Sequence, residues 1–140
     1  MSDKKKAEML MNEAQGLLKG RLAMSGWNKN YAGSVSSALI CTNGKMYSGV
    51  NVFMACDIGF CAEQNAIGAM LKDRNTEIEM IVAIHEAEGI LPPCGKCREF
   101  MSQVDRNNQR TKVIMPGGNI MTLGELLPHN WNKDGTNKSV

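Results

Sequence analysis

Residues 34–53 read SVSSALICTNGKMYSGVNVF, and this stretch decides how the fold begins. Two runs rich in strand-forming residues, 34–41 and 45–53, flank the tripeptide Thr42-Asn43-Gly44. An Asn-Gly pair is a preferred tight hairpin turn because both residues readily adopt positive φ angles. We therefore expect two antiparallel strands joined by this turn.

Helical and strand patterns alternate on either side of the hairpin. Apolar residues recur at helical spacing over 3–19, 60–72 and 94–104, with Ser2 placed to cap the first helix. Residues 80–84 form a continuously apolar run, typical of a strand buried on both faces. Shorter strands are predicted at 112–115 and 119–121, and a short helix at 123–127. This order predicts an α/β fold with a mixed sheet of about five strands and helices on both faces.

Length and composition exclude several classes of protein. A chain of 140 residues, 43% hydrophobic and 21% charged, has room for one globular domain. The formal net charge is only +2 and the charges are scattered, so nucleic acid is not an expected partner. There is no apolar signal core and no run of about 18 apolar residues, which predicts a cytoplasmic protein with no membrane span. We expect a single domain at 1–132, followed by a polar, flexible tail at 133–140.

The five cysteines, at positions 41, 56, 61, 94 and 97, indicate the chemistry. An odd number without a secretory signal argues against a disulfide framework and favours metal or thiol chemistry. Cys94 and Cys97 lie one helical turn apart, and Cys61 can supply a third ligand across the sheet. Three thiolates leave one tetrahedral position open for water, which is typical of catalytic zinc. We expect Cys41 and Cys56 to be small core residues, although Cys56 lies in the loop that leads to the predicted metal-binding helix and could instead line the pocket.

Glu63 stands two residues after Cys61, at the start of a predicted helix. Its carboxylate can accept the proton of a bound water without ligating the metal, and can then deliver it to a substrate. Zinc with three thiolates carries a net charge of −1, and Glu63 adds another negative charge. We expect the N-termini of two helices to compensate, with Lys96 and Arg98 as further candidates.

Simpler interpretations of the same residues stay open at this point. Cys94-Gly95-Lys96-Cys97 taken alone is typical of a thioredoxin-type redox pair, although such a pair requires neither Cys61 nor Glu63. A structural zinc site would need a fourth ligand, for which His85, His129 and Cys56 are candidates. Glu63 alone would be a carboxylate favoured by a helix dipole.

With these motifs the chain resembles the cytidine deaminase family, whose zinc signature is Cys-Ala-Glu followed by Pro-Cys-x-x-Cys. The segments at 47–52 and 126–128 are also similar to family segments, so the resemblance spans roughly residues 30–131. It implies a three-layer α/β/α fold, a homotetramer, and a hydrolase that acts on cytosine nucleosides in pyrimidine salvage. A cysteine as the first ligand resembles the members that act on free nucleosides.

The resemblance also implies roles for individual residues. Cys61, Cys94 and Cys97 would bind one Zn²⁺ per subunit with a catalytic water or hydroxide, and Glu63 would shuttle protons. Asn51 would bind the ribose, and the backbone of Ala62 would contact the base. Asn51 could instead simply end a strand.

Three positions depart from the family pattern. Phe53 stands where cytidine deaminases usually have a glutamate that binds the ribose, and Gln64 where they have an arginine. Gly33 falls near the position of a stacking phenylalanine. The residues at 53 and 64 are similar to the blasticidin S deaminase branch, which implies that Phe53 binds the substrate. Gly33 implies a wider pocket, which would admit a bulkier nucleoside or a substituted exocyclic amine. Trp131 would supply stacking, from a neighbouring subunit, or would only cover the core.

These observations leave three functional hypotheses. The first is a zinc-dependent hydrolytic deaminase of cytidine or deoxycytidine. The second is a deaminase of blasticidin S or another modified aminopyrimidine nucleoside, used in detoxification. The third is a zinc-stapled binding module without catalysis, in which a protein ligand takes the place of water.

Overall fold

The computed structural model describes residues 1–132. Four α-helices and seven strands follow one another as α1 (Asp3–Leu17), β1 (Leu22–Ala23), β2 (Tyr31–Cys41), β3 (Met46–Phe53), α2 (Ala62–Lys72), β4 (Ile78–His85), β5 (Gly89–Ile90), α3 (Gly95–Val104), β6 (Lys112–Ile114), β7 (Ile120–Thr122) and α4 (Leu123–Leu126). Short 3₁₀ helices lie at Ala55–Asp57, Arg106–Arg110 and Pro116–Gly118. The tail predicted at 133–140 lies outside the described residues.

The sheet is mixed, as predicted. Strand β2 pairs antiparallel with β3 along one edge and with β4 along the other. Strand β4 runs parallel to β6, across the crossover that contains α3, and β6 pairs antiparallel with β7. The two-residue strands β1 and β5 extend the pairing of β2 and β4 and bring the sheet to seven strands, where about five were expected. Two residues carry no periodicity from which a strand can be predicted.

The predicted hairpin is confirmed, and it contains a bulge that the sequence pattern did not reveal. Gly44 has a φ of 88°, and its N–H donates to the carbonyl of Cys41 at 2.9 Å, which closes the turn. Further along, the β2–β3 register shifts between Ala32 and Ser36. Gly33 lies in this interval with a φ of 88°, a backbone conformation that favours glycine. Bulges of this kind re-aim the neighbouring side chains, often beside a functional site.

Helices cover both faces of the sheet and create two apolar cores. On one face α1 packs through Leu10 and Ala14 against residues of β2 and β4. On the other face Ile67 and Met70 of α2 pack with Met101 of α3. The two core clusters together make the three-layer α/β/α arrangement. Within residues 1–132 no helix combines the length and apolarity needed to cross a membrane.

A buried asparagine ties α3 to the start of β4. Asn108 is fully buried, and its Oδ1 accepts the backbone N–H of Ile78 at 2.8 Å. Its Nδ2 donates to the carbonyls of Thr76 at 3.1 Å and Met101 at 3.0 Å. Because buried backbone groups are costly to leave unpaired, this one side chain fixes where α3 ends relative to the sheet.

Replacement of this asparagine tests its structural importance. Asn108→Ala removes three hydrogen bonds and leaves buried backbone groups unpaired, so the free energy of unfolding should fall by about 2 to 4 kcal/mol in urea titrations. The matched control Gln109→Ala changes the exposed next residue of the same 3₁₀ helix and should stay within about 0.5 kcal/mol of the unchanged protein. Equal stability of the two variants would contradict this assignment.

Candidate active site

Three cysteine sulfurs meet where α2 and α3 begin. Cys61 is the N-cap residue of α2, Cys94 is the N-cap residue of α3, and Cys97 lies in the first turn of α3. The three Sγ atoms lie within 4.8 Å of one another, and those of Cys61 and Cys94 are 3.7 Å apart. Sulfurs about 2.3 Å from a tetrahedral zinc would be about 3.8 Å from each other. The three side chains therefore fit a zinc ion.

Among residues 1–132, no histidine, carboxylate or further cysteine joins this cluster. The Nδ1 of His85 accepts the N–H groups of Ala87 and Glu88, at 3.0 and 3.2 Å, and so holds a turn. His129 lines a different cavity. Cys56 is exposed and stands apart from the cluster. With three protein ligands the arrangement matches a catalytic rather than a structural zinc site.

The two cysteines outside the cluster differ from each other. Cys41 is buried as expected, and burial raises the pKa of its thiol to about 11. The expectation that Cys56 is also a core residue is wrong. Cys56 and Asp57 adopt positive φ angles of 62° and 54° in the 3₁₀ turn after β3, which places the Cys56 side chain on the surface.

Burial disfavours the ionised forms of the clustered thiols and of Glu63, so their ionisation depends on a compensating positive charge. Cys97 is fully buried, and burial raises the pKa of its thiol far above the ordinary value. Burial also raises the pKa of Cys61 and of Glu63, and Glu63 is only 6% exposed. Metal ligation requires the thiolate form, so a bound dication supplies the compensation that the buried site otherwise lacks. The positive dipole ends of α2 and α3 lie beside the same sulfurs.

The two basic residues proposed as compensating charges are placed differently. Lys96 lines the cavity in front of the sulfurs. Arg98 instead donates from Nε to the carbonyl of Pro93 at 2.8 Å and from Nη1 to the carbonyl of Leu126 at 2.9 Å. Arg98 therefore fastens the segment before Cys94 to the end of α4.

A cavity of about 490 Å³ opens in front of the cluster. Its volume lies within the range of small-molecule sites, roughly 300–1,000 Å³. The sequence predicted seven of its lining residues as parts of the site, namely Asn51, Phe53, Cys61, Ala62, Glu63, Cys94 and Lys96. Trp131 is not among the lining residues; it is half exposed, and its Nε1 donates to the carboxylate of Glu99. It does not cover the core, and its contact with a substrate in a neighbouring subunit stays a prediction.

Sequence reasoning missed most of the apolar walls of the cavity, which include Val35, Met54, Phe60 and Leu91. Phe60 exchanges two backbone hydrogen bonds of 3.0 Å with Val52, which closes the loop after β3. A Cβ on Gly59 would lie 2.1 Å from the carbonyl oxygen of Val52, so only glycine fits there. The sequence could have predicted this closed loop from Gly59, because an isolated glycine beside a strand often marks a place where two backbone segments approach closely.

Phe53 belongs to a stack of planar groups at the edge of the cavity. Its ring lies 5.0 Å from that of Tyr31, with an interplanar angle of 12°. The guanidinium of Arg21 covers the Tyr31 ring at 4.4 Å and pairs with Glu86 at 2.7 Å. The stack holds Phe53 beside Asn51, two residues away on β3, where alternate side chains share one face.

The comparison with known families confirms the family that the motifs indicated. Residues 5–115 match the model of the cytidine and deoxycytidylate deaminase zinc-binding region. The chain belongs to this family. It is accordingly a zinc-dependent deaminase, a hydrolase that acts on a C–N bond, and the redox pair is not its chemistry.

Individual relatives agree with this assignment. The chain is 26% identical over 103 residues to a cytidine deaminase of Sporosarcina psychrophila, a match that covers 71% of this chain and 76% of the relative. It is 27% identical over 97 residues to a cytidine deaminase of Halalkalibacterium halodurans, with 67% and 74% covered.

Solved structures show the same fold. The structure of cytidine deaminase from Mycobacterium tuberculosis superposes with a TM-score of 0.72 at 22% identity, covering 92% of this chain and 97% of that one. Cytidine deaminase from Burkholderia pseudomallei gives a TM-score of 0.68 at 26% identity, with 92% and 98% covered. The predicted fold class is thus confirmed.

The ligand set can be tested by zinc content. Cys61→Ser and Cys94→Ser each replace a thiolate by a weakly ligating hydroxyl, so the purified variants should lose most of their zinc by mass spectrometry. The matched control Cys56→Ser removes an exposed cysteine in the loop before α2, outside the cluster, and this variant should retain about one zinc per chain. Full zinc content in either cluster variant would contradict the ligand set.

Proposed function

We propose that this deaminase acts on free cytosine nucleosides such as cytidine and deoxycytidine. The observation that carries the proposal is the cavity in which Glu63, two of the three clustered cysteines and Asn51 face the same space. The cavity is large enough for a nucleoside, and the relatives named above are cytidine deaminases. Cys61, in place of a histidine, as the first ligand adds support for a free nucleoside over a polynucleotide.

The reaction adds water to the amine-bearing ring carbon and releases ammonia, so a C=O bond replaces a C–NH₂ bond. When bound, zinc supplies a water whose pKa is lowered toward neutrality. Glu63 takes a proton from the attacking water and passes it to the ring nitrogen of the base. It then moves the second proton to the departing amine. A carboxyl buried in the cavity wall suits both transfers, because it lies beside the clustered cysteines and is shielded from bulk water.

The remaining contacts orient the substrate. The Ala62 main chain lies at the start of α2, between Cys61 and Glu63, and in this proposal it contacts the base. Asn51 binds the sugar from β3. In a homotetramer, Trp131 of a neighbouring copy stacks on the substrate.

A second candidate substrate is a bulkier nucleoside such as blasticidin S. Phe53 favours it, because an apolar ring lies beside Asn51 at the cavity edge and cannot accept a hydrogen bond from a sugar hydroxyl. Gln64, which replaces the arginine usual in cytidine deaminases, agrees with this second reading.

Several broader proposals accompany the activity. Residues 1–132 act as a single catalytic domain in the cytoplasm. The physiological role is pyrimidine salvage if cytidine is the substrate, and detoxification if blasticidin S is.

Ammonia release tests the proposed activity. Glu63→Gln keeps the shape of the side chain but removes its base, so turnover should fall by at least about 100-fold while zinc content is retained. The control Glu8→Gln changes an exposed glutamate of α1 and should leave turnover unchanged. Undiminished activity of Glu63→Gln would overturn the mechanism.

The substrate panel for this assay contains cytidine, deoxycytidine, blasticidin S and amine-substituted cytidines. Turnover of cytidine and deoxycytidine is the expected result. Turnover of blasticidin S alone would select the second candidate. If none of these compounds is deaminated, the proposal of a cytosine nucleoside as substrate is wrong, and the enzyme acts on another amine-bearing substrate.

A further inference from the structure

Asn51 is fixed by two neighbours on β2 that the sequence motifs do not include. It lies inside β3, not at its end, and it lines the cavity. Its Oδ1 accepts the backbone N–H of Val35 at 2.9 Å, and its Nδ2 donates to the Oγ of Ser34 at 2.9 Å. Both neighbours follow Gly33, in the interval where the β2–β3 register shifts.

The bulge explains why these groups are available to Asn51. Between Ala32 and Ser36 the two strands lose their residue-to-residue pairing. The N–H of Val35 therefore bonds to a side chain of β3 in place of a backbone carbonyl. Ser34 is only 4% exposed, and its own carbonyl accepts the N–H of Glu86 at 2.9 Å, which holds it in place from the β4 side.

These contacts determine the orientation of the Asn51 side-chain amide, that is, which position the oxygen occupies and which the nitrogen. A backbone N–H only donates, so the atom that faces Val35 must be the amide oxygen. The amide nitrogen then faces Ser34 and spends one of its two hydrogens on the Ser34 Oγ. No residue within 1–132 accepts the second hydrogen. Asn51 thus presents an N–H donor that remains available beside the cavity.

We infer that Ser34 is a positioning residue that fixes Asn51 as a hydrogen-bond donor to the sugar of the substrate. The inference rests on the proposed nucleoside deaminase activity. A substrate recognised in this way must carry an acceptor oxygen on the sugar opposite Asn51. The neighbouring Phe53 offers no hydrogen-bonding group. The sugar hydroxyl that accepts from Asn51 should therefore contribute more to substrate binding than the other hydroxyls do.

A thermodynamic cycle tests the inference by combining Ser34→Ala with removal of a sugar hydroxyl. With the unchanged enzyme, kcat/KM should fall about three- to tenfold for either 2′-deoxycytidine or 3′-deoxycytidine relative to cytidine. In Ser34→Ala the KM for cytidine should rise by a similar factor with kcat within about twofold. In this variant, kcat/KM for the same deoxynucleoside should be less than about twofold below that for cytidine, because Ser34→Ala and the missing hydroxyl remove the same interaction.

Two control variants separate positioning from general stability. Ser37→Ala also removes a buried hydroxyl of β2, but this hydroxyl donates to the carbonyl of Val82 at 2.8 Å and makes no hydrogen bond with Asn51. This control should leave the decrease in kcat/KM caused by the missing sugar hydroxyl unchanged, even if it lowers the stability of the protein. Ser34→Thr keeps the acceptor and should restore the KM for cytidine. The inference would be overturned if Ser34→Ala still showed the full decrease in kcat/KM for the deoxynucleoside. It would also be overturned if the unchanged enzyme showed no decrease for either deoxynucleoside.

A second measurement does not depend on turnover. In ¹⁵N-labelled protein, Ser34→Ala should shift the Asn51 side-chain amide signals and speed their hydrogen exchange, and Ser37→Ala should not. Unchanged Asn51 signals in Ser34→Ala would refute the positioning role. If no nucleoside is deaminated but these signals do change, the proposed function fails while the fixed orientation of Asn51 stands.

Discussion

Three sulfurs converge at the first turns of two helices, and this convergence determines how the helices, the sheet and the cavity are arranged. Cys61 and Cys94 begin α2 and α3, and Cys97 adds the third sulfur from within the first turn. Bringing these atoms within 4.8 Å of one another requires both helices to start at the same edge of the sheet. The burial that makes these thiols reluctant to ionise also makes a dication favourable among them.

The sheet supplies the other half of the site. Strand β3 leads directly into the loop that precedes Cys61, and the paired backbone bonds between Val52 and Phe60 hold that loop closed. The same strand presents Asn51 and Phe53 to the cavity. The bulge around Gly33 on the neighbouring β2 then gives Asn51 its hydrogen-bond partners. The cavity residues Asn51 and Phe53 and the first of the three sulfurs, that of Cys61, are therefore positioned by one continuous stretch of chain, and α3 adds the other two sulfurs.

The sequence predicted the parts of this arrangement that rest on local patterns. The helices, the long strands, the Asn-Gly turn and the cysteine spacing all carry periodicity or chemistry visible in a few residues. The two-residue strands β1 and β5, the Arg21–Tyr31–Phe53 stack and the partners of Asn51 depend on contacts between distant segments. Cys56 was placed wrongly because its surface position follows from a backbone turn with positive φ, which cysteine rarely adopts.

In the proposed site, three thiolates hold zinc and leave one position for a small oxygen ligand. Zinc K-edge X-ray absorption on the purified holoenzyme tests it most directly. The expected spectrum shows three sulfurs at about 2.3 Å and one oxygen at about 2.0 Å from the zinc. Four sulfurs, or three sulfurs with the outer-shell scattering of an imidazole ring, would contradict it, because the site would then be closed and structural.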